Sequence, residues 1–319
     1  MSTQPFLAAL ACGLLDVLHL LQLAVHDPVV YIYELFFGAP ETEMARFYLN
    51  KTAVVTGASS GLGEAFALQL AGYKPKCLML SARSLDKLEA AAAQCRLLSP
   101  STLVVVLPLD LEDPQAAESY AAVLAARLQD ARIDALDVLV NNAGVSSRGS
   151  ALDTDQAALT KIMQVNFFGP VSLTRALLPL MRGNRPAIGV ISSVQGRLGI
   201  PLRTSYAASK HALQGYFDGL RAELAPYRAS VTVISPGYIA TNLSNNAVTA
   251  DGSPYGRTDE TTARGMLPQR CAQRSLLAIA RGETDCLIAD AKACAAVHAR
   301  GMFPALLARM TALKGKKVE

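Results

Sequence analysis

The sequence predicts an α/β fold in which a doubly wound parallel sheet forms a single domain. Short apolar runs, several of them rich in β-branched residues, alternate along the chain with longer helical stretches. Polar motifs directly follow most of the apolar runs. Alternating strands and helices imply right-handed crossovers and a parallel sheet covered by helices on both faces, as in Rossmann-like domains.

The individual elements follow from run length and composition. Short apolar runs bounded by polar residues or glycine predict strands. The predicted strands are Thr52–Thr56, Cys77–Ser81, Leu103–Leu107, Val138–Asn141, Ala187–Ser192, Val231–Ser235 and Asp285–Ile288. Longer stretches, several of them rich in alanine and leucine, predict helices between the strands. One helix begins at Gly61, and the others cover Leu85–Leu98, Pro114–Leu128, Gln156–Leu180 and Ser205–Leu224.

We divide the chain into three parts. We expect residues 1–49 to form an apolar anchor and a polar connector, residues 50–290 the α/β domain, and residues 291–319 a C-terminal helix and basic tail. Glycines and a proline interrupt regular structure around residues 252–256. Residues from about 242 to 267 are therefore expected to form a lid over a substrate pocket.

The N-terminal anchor is almost wholly apolar from Phe6 to Val25. Asp16, His19 and Gln22 form one narrow polar stripe on this predicted helix, and a mid-span Asp alone costs about +3 kcal/mol of insertion free energy. We expect residues from about 5 to 37 to associate with a membrane, as a span, an in-plane helix or a hairpin. The alternative is a soluble helix that packs on its own domain.

Composition argues against two other classes of protein. The net charge is +4, and the sequence has no basic stripe interleaved with aromatic residues, so we expect no nucleic-acid partner. The six cysteines form no CxxC motif and no cluster with histidine. They indicate single thiols in a reducing compartment, with neither a metal site nor a disulfide framework.

A glycine turn lies between the first strand and the first helix of the domain. Gly57, Gly61 and Gly63 follow Thr56 in the spacing GxxxGxG. Glycine lets a backbone turn tightly and approach a pyrophosphate, whose charge is stabilised at the helix N-terminus. The strand-to-helix position therefore predicts a dinucleotide site at this turn.

The second strand ends in Ser81-Ala82-Arg83. A cofactor with a free ribose 2′-hydroxyl favours an acid near this point, and Ala82 supplies none. Arg83 could instead pair with a 2′-phosphate, which favours NADP(H) over NAD(H). The alternative is that Arg83 is a solvated loop residue.

Other polar residues follow the later strands, at the sheet edge where such folds bind ligands. Asp110 follows the third strand and could accept a hydrogen bond from an adenine amine. Further polar or glycine-containing motifs follow the next three strands: residues 141–144, Ser192-Ser193 and residues 236–241. Because these motifs all lie at the same edge of the sheet, we expect them to form one ligand-binding site.

Tyr206 and Lys210 lie four residues apart, about one helical turn, and share a helix face. A positive charge beside a phenol lowers its pKa and makes it a usable acid or base, with Ser193 upstream. The alternative is a buried tyrosine beside a solvated lysine. Pro170 has no N–H and lies four residues after Asn166, so either it frees the Asn166 carbonyl to hold a water or it merely kinks the helix.

Together these motifs resemble the short-chain dehydrogenase/reductases. The resemblance covers about residues 50–245 and rests on TGASSGLG at 56–63, NNAG at 141–144, Asn166, Ser193, YAASK at 206–210 and PGYIAT at 236–241. The segments 241–253 and 259–263, with the apolar N-terminus and basic tail, resemble the membrane-anchored member 7B group of that family.

The resemblance implies a role for each motif. Tyr206 is the general acid, Ser193 holds the substrate oxygen, and Lys210 lowers the tyrosine pKa and binds the nicotinamide ribose. Asn166 holds a relay water through its main-chain carbonyl. The expected cofactor-binding residues are Gly57, Ser59, Ser60, Gly61, Leu62, Gly63, Arg83, Asp110, Asn142, Ala143, Gly144, Tyr206, Lys210, Pro236, Gly237, Ile239 and Thr241.

The expected function is NADP(H)-dependent reduction of a lipophilic ketone, or oxidation of the alcohol, by hydride transfer. Sterol, retinoid, sphingoid and glycerolipid ketones stay open, as does a homodimer. The alternative is a non-catalytic cofactor sensor or membrane scaffold that keeps the fold. Lys316-Lys317-Val318-Glu319 has the form of a dilysine retrieval signal, which predicts an endoplasmic reticulum membrane with the domain in the cytosol. Peroxisomal and lipid-droplet membranes are the alternatives.

Overall fold

The structure, a computed structural model, describes residues 40–181 and 185–315. Its strands are β1 Thr52–Thr56, β2 Cys77–Ser81, β3 Leu103–Val106, β4 Val138–Asn141, β5 Ser147–Arg148, β6 Ala187–Ile191, β7 Ser230–Pro236, β8 Val248–Thr249 and β9 Asp285–Ile288. Its α-helices are α1 Pro40–Tyr48, α2 Gly61–Gly72, α3 Leu85–Leu98, α4 Ala116–Asp130, α5 Gln156–Met163, α6 Gly169–Leu177, α7 Thr204–Leu224, α8 Glu260–Ala263, α9 Pro268–Arg281, α10 Ala291–Met302 and α11 Pro304–Gly315.

Seven strands form one parallel sheet in the order β3-β2-β1-β4-β6-β7-β9. The order reverses between β1 and β4, which is the switch point where doubly wound sheets bind ligands. β5 and β8 form a separate parallel pair beside this edge. The predicted doubly wound parallel sheet is therefore confirmed, and every predicted strand of that sheet lies within one residue of its observed ends.

Both faces of the sheet are buried, as a parallel sheet requires. Strand β1 illustrates the alternation, because Ala53 and Val55 pack into one hydrophobic cluster and Val54 packs into the other. The first cluster includes buried residues of α2 and α9, and the second includes residues of α4, α6 and α7. Helices on both faces hold the carboxyl ends of the strands in a fixed arrangement.

The prediction that a connector runs to residue 49 is wrong from Pro40 onward, because α1 is part of the folded domain. Met44 and Tyr48 are fully buried in the first cluster. The Tyr48 hydroxyl donates to the Leu276 carbonyl of α9 at 2.7 Å, and Glu43 forms an ion pair with Arg281 at 3.0 Å. Because this short segment is mostly polar at its start and lacks a clear apolar pattern, the sequence did not indicate that Met44 and Tyr48 attach it to the domain.

The predicted helix Gln156–Leu180 is divided into shorter parts. Residues Gln164–Phe168 form a π-helical turn between α5 and α6, and the Gly169 N–H donates to the Gln164 carbonyl five residues back. A short 3-10 turn, Leu178–Leu180, ends the segment. The irregularity that Pro170 predicted is therefore present as a π turn, which is a common source of helix kinks.

The C-terminal segment also differs from its prediction. Two helices, α10 and α11, replace the single predicted helix, and they meet at Phe303 and Pro304. Proline supplies no N–H for a continuing helix, which explains the break. The predicted anchor at residues 5–37 and the dilysine sequence at residues 316–319 lie outside the described residues. Among the helices that are described, none combines the length and the hydropathy that a membrane crossing needs.

Candidate active site

A cavity of about 670 Å³ opens at the carboxyl ends of the strands. Most of the predicted site residues line it. These are Gly57, Ser59, Ser60, Gly61, Leu62, Gly63, Arg83, Asn142, Ala143, Gly144, Ser193, Tyr206, Lys210, Pro236, Gly237, Ile239 and Thr241. Asp110 and Asn166 are not among the lining residues.

The glycine turn is packed so closely that its glycines cannot carry side chains. Gly57 has a positive φ of 68°, and a Cβ on Gly63 would lie 2.0 Å from the Gly57 carbonyl oxygen. The turn delivers the N-terminus of α2 to the cavity, and the Ser60 side chain makes no capping hydrogen bond there. First-turn N–H groups without intrahelical partners fit a pyrophosphate.

Thr56 and Asn142 connect the glycine turn to strand β4. The Thr56 hydroxyl accepts from the N–H groups of Asn142 and Ala143, at 3.0 and 3.1 Å. The Asn142 side chain donates to the Thr56 carbonyl at 2.9 Å. Asn142, one of the expected cofactor-binding residues, therefore lines the cavity and also holds two strand ends together.

Tyr206 and Lys210 lie on the buried face of α7, with 6% and 4% of their surfaces exposed. The Lys210 ammonium is 5.9 Å from the centre of the Tyr206 ring and donates to the Ile191 carbonyl of β6 at 2.9 Å. Ser193 follows the same strand and is also buried. The predicted proximity of these three residues is therefore present, in a position that excludes most water.

The predicted lowering of the Tyr206 pKa is wrong for this structure. Burial raises the pKa of Tyr206 above its ordinary value, and a hydrogen bond with Ser193 and the charges of Arg203 and Arg148 oppose the rise without cancelling it. Burial lowers the pKa of Lys210 to about 8. The Lys210 ammonium donates its hydrogen bond to the Ile191 carbonyl and not to the phenol. Desolvation, rather than the charge of Lys210, therefore decides the direction of the Tyr206 pKa shift.

Asn166 lies behind the cavity and supports its wall. Its side-chain amide donates to the Val145 carbonyl at 2.8 Å and to the Ser209 hydroxyl at 3.0 Å, and its oxygen accepts from the Val145 N–H. Ser209 in turn donates to the Tyr206 carbonyl at 2.8 Å. Fully buried Asn166 thus links the segment after β4 to the helix that carries Tyr206. The role predicted for its main-chain carbonyl stays a prediction.

Arg83 and Asp110 lie at the far end of the site. Arg83 is 60% exposed and lies 3.9 Å from the Glu112 carboxylate. Lys87, which sequence analysis did not select, lines the cavity beside it. One Asp110 carboxylate oxygen accepts from the Glu112 N–H at 3.0 Å, in a local turn. The predicted contact of Asp110 with adenine stays a prediction.

Sequence analysis also missed a charged cluster at the lid end of the cavity. Arg148 and Arg203 line the cavity, whereas Asp259 does not. A single Asp259 oxygen accepts from Arg148 at 2.5 Å and from Arg203 at 2.8 Å. Arg203 precedes Tyr206 by three residues, which is one helical turn, and that spacing was the available signal.

The lid region predicted at about residues 242–267 does contribute to the cavity wall. Asn242, Leu243, Ser244, Asn246 and Thr262 are lining residues from this segment. Its irregular course includes positive φ angles at Gly252 and Gly256. Across residues 40–181 and 185–315, no group of three or more histidine, cysteine or acidic side chains could hold a metal ion.

Comparisons with known proteins give one family. The family model described as short chain dehydrogenase matches residues 51–252. Dehydrogenase/reductase SDR family member 7B of Bos taurus is 42% identical over 292 residues, which cover 90% of this chain and 88% of that protein. Dehydrogenase/reductase SDR family protein 7-like of Drosophila melanogaster is 42% identical over 276 residues, covering 85% and 82%. Both likenesses agree with the resemblance of the motifs.

Two solved structures share the fold. One is a short-chain dehydrogenase/reductase from Burkholderia phymatum in complex with NAD, with a TM-score of 0.70 at 23% identity over 81% of this chain and 95% of that one. The other is an alcohol dehydrogenase from the archaeon Thermococcus sibiricus complexed with 5-hydroxy-NADP. It has a TM-score of 0.62 at 22% identity over 75% and 95%.

Proposed function

Because the chain belongs to the short-chain dehydrogenase/reductase family, we propose that it is an NADP(H)-dependent oxidoreductase that acts on a lipophilic ketone or secondary alcohol. One observation supports the proposal above the others. Ser193, Tyr206 and Lys210 line the same cavity as a glycine turn whose helix N-terminus suits a pyrophosphate. Groups that suit an acid, a hydrogen-bond donor and a dinucleotide site thus line one cavity.

The proposed reaction uses this geometry directly. The glycine turn and Lys210 would hold NADPH, which would supply the hydride for the carbonyl carbon, so the carbonyl oxygen must gain a proton from the protein. Tyr206 donates that proton, because burial holds its pKa above neutrality and keeps the phenol protonated. Ser193 donates a hydrogen bond to the same oxygen as negative charge develops on it. Lys210 binds the nicotinamide ribose, and a water on the Asn166 carbonyl connects the site to solvent.

The preference for NADP(H) is proposed from the basic residues that follow β2. Arg83 and Lys87 both line the cavity at the end remote from Tyr206, and they could pair with a 2′-phosphate. Glu112 lies 3.9 Å from Arg83 and weakens the local positive charge. The two similar solved structures carry NAD in one case and an NADP derivative in the other. The ratio of kcat/KM with NADPH to that with NADH measures this preference.

The decisive experiment measures NADPH oxidation over a panel of lipophilic ketones. We expect turnover by the wild type and a fall of roughly 10²- to 10⁴-fold in Tyr206→Phe, the range for loss of a general acid. Tyr227→Phe is the matched control, since that phenol is 75% exposed. NADPH binding with no turnover of any ketone would favour the cofactor-sensing alternative. Equal turnover by Tyr206→Phe would refute the mechanism.

We also propose that the chain associates with a membrane of the endoplasmic reticulum through residues 5–37. The apolar run from Phe6 to Val25 and the terminal Lys316-Lys317-Val318-Glu319 support this proposal. Because α1 belongs to the domain, the test removes residues 1–38 and leaves Pro40 intact. Membrane sedimentation should be lost while turnover survives. Replacing Lys316 and Lys317 by serine should shift the full chain out of the endoplasmic reticulum. An unchanged distribution of the protein among cell membranes would contradict the proposal.

A further inference from the structure

We propose that Arg203, together with Arg148, binds an anionic group of the substrate, a phosphate or a carboxylate close to the reacting carbonyl. The inference deepens the proposed function and rests on it. It starts from the charged cluster of Arg148, Arg203 and Asp259. Both guanidinium groups line the cavity, and the carboxylate that they share lies outside its lining.

The hydrogen bonds of Arg203 leave most of its donors available. Within the described residues its side chain donates to one oxygen only, Asp259 Oδ2, at 2.8 Å. A guanidinium has five N–H groups, so several are left for an acceptor in the cavity, where the Arg203 guanidinium also lies 6.0 Å from the centre of the Tyr238 ring. The Arg203 side chain is only 15% exposed, so water solvates it poorly. A planar fork of this kind suits bidentate binding of a phosphate or carboxylate.

Arg148 is the more fully bound of the two cations. Its guanidinium donates to Asp259 through Nε and one terminal nitrogen, at 3.1 and 2.5 Å. The other terminal nitrogen donates to Ser146 Oγ at 2.8 Å and to the Ser147 carbonyl at 2.7 Å. Arg148 is therefore fixed in place, and its contribution to an anion is mainly its charge.

The charge of the cluster is unbalanced. Two guanidinium groups share one carboxylate, and the side chains of Arg148, Arg203 and Asp259 are 10%, 15% and 18% exposed. A net positive charge with so little access to water carries a desolvation cost that a bound anion would offset. Asp259 accordingly acts as a positioning residue, which holds both guanidinium groups from outside the cavity.

The position of the cluster separates it from the phosphates of the cofactor. Arg203 directly precedes α7, one turn before Tyr206, and the Tyr206 N–H donates at 3.3 Å to the hydroxyl of Ser147, the neighbour of Arg148 in the chain. The glycine turn follows β1 and Arg83 follows β2, whereas Arg203 follows β6 in the chain, on the other side of the switch point between β1 and β4. An anion bound at Arg203 therefore lies beside the reacting oxygen, on the lid side.

The remaining wall of this end is mixed in character. Ser146, Ser244 and Asn246 add polar groups, and Val145 and Leu243 add apolar surface. The substrate class that fits is an amphipathic ketone, with an anionic group near the carbonyl and an apolar remainder.

The test measures binding of phenylphosphonate and of its neutral dimethyl ester to the NADPH-loaded protein, followed by quenching of NADPH fluorescence. We expect the dianion to bind at least roughly 10-fold more tightly than the ester. Arg203→Gln should lower affinity for the dianion by about 10- to 100-fold and leave that for the ester unchanged, since charge-assisted hydrogen bonds contribute about 1.5–3 kcal/mol. Arg257→Gln is the matched control, because Arg257 lies 4.6 Å over the Tyr255 ring of the same lid but outside the cavity lining.

Equal affinity of the wild type for the two probes would overturn the proposal. So would an equal loss for both probes in Arg203→Gln, which would mean that the cluster only holds the lid closed. Failure of the dianion to bind at about 10 mM would also overturn it. If NADPH itself does not bind, the proposed function fails separately, and titration calorimetry of the same two probes with the wild type and Arg203→Gln, without cofactor, still tests Arg203.

Discussion

The two ends of the cavity are held by different kinds of interaction. At the glycine turn, backbone atoms meet so closely that a Cβ on Gly63 would lie 2.0 Å from the Gly57 carbonyl oxygen. At the lid, Asp259 joins two arginines that are distant in the chain, through ion pairs of 2.5 and 2.8 Å. One end is therefore fixed by shape and the other by charge, with Tyr206 and Lys210 between them. Changes of volume should disturb the first end, and changes of charge the second.

The largest expected effect concerns Lys210, at the junction of the two ends. Its pKa is about 8 in the folded protein, against an ordinary value of 10.5. Between these values the unfolded chain binds the proton more strongly, so the free energy of unfolding rises with pH across this window, by about 3 kcal/mol. Lys210→Met should abolish that rise. Urea unfolding of both proteins from pH 8 upward measures the difference, with exposed Lys292→Met as control. A difference that stays constant with pH would contradict the prediction.

Gly63→Ala tests the end that is fixed by shape. The added methyl would also lie 2.6 Å from the Asn142 amide nitrogen, so the turn must move. We expect the free energy of unfolding to fall by about 2 kcal/mol, as for other overpacked sites, and NADPH affinity to fall with it. Gly72→Ala is the matched control at the other end of the same helix, where nothing lies within 4 Å of the new Cβ. If Gly63→Ala and Gly72→Ala lowered the free energy of unfolding and the NADPH affinity equally, close packing would not be what fixes this turn.

Asp259→Asn tests the end that is fixed by charge. Burial raises the pKa of Asp259, but the hydrogen bond and charge of Arg148 and the charge of Arg203 outweigh it, so the pKa lies below its ordinary value. The stabilisation that follows is present at neutral pH and is lost as the pH falls through that lowered pKa. We expect a loss of about 1–2 kcal/mol at neutral pH, since the pairs are only partly exposed.

The same urea experiment at acid pH should bring Asp259→Asn and the wild type together. Glu260→Gln is the control on the adjacent residue, whose ion pair with Arg264 is 76% and 79% exposed. That change should cost less than about 0.5 kcal/mol. If the two substitutions lowered the free energy of unfolding equally, the ion pairs of Asp259 would contribute no more to stability than the exposed pair of Glu260.

The smallest expected effect concerns Arg83, because this residue is exposed. Arg83→Ala should lower kcat/KM with NADPH by roughly 10-fold and leave the value with NADH unchanged, as expected for loss of one charge-assisted contact with a 2′-phosphate. Arg96→Ala, in the next helix and outside the cavity lining, is the control. Equal losses with the two cofactors would refute the NADP(H) preference.

Sequence reasoning reached the first end of the cavity more fully than the second. The strands were predicted because short apolar runs are local signals, and the glycine turn because its residues are contiguous. Arg148, Arg203 and Asp259 come from three separate segments, and only the fold brings them together. The direction of the Tyr206 pKa shift likewise depends on burial, which only the fold determines. The spacing of Tyr206 and Lys210 alone therefore predicted a lowered pKa where burial raises it.

Helix α1 shows a related limit. Its two buried residues, Met44 and Tyr48, are four apart in an otherwise polar segment, which is too short for a clear periodic signal. The partners that bury them, Leu276 and Tyr73, lie far along the chain. A boundary drawn from composition therefore fell inside the domain.

The π turn at Gln164–Phe168 has a consequence for how this chain can change length. The turn closes on a hydrogen bond five residues back instead of four, so it holds one extra residue, which shifts the phase of every later residue by about 100°. Ile162 before the turn packs beside Val248 under the lid, and Leu173 after it packs beneath the sheet. Deletion of a single residue here would restore an ordinary helix. Ile162 and Leu173 could then no longer both face their present packing partners. Substitution of half-exposed Phe168 should therefore cost far less free energy of unfolding than a change of length by one residue.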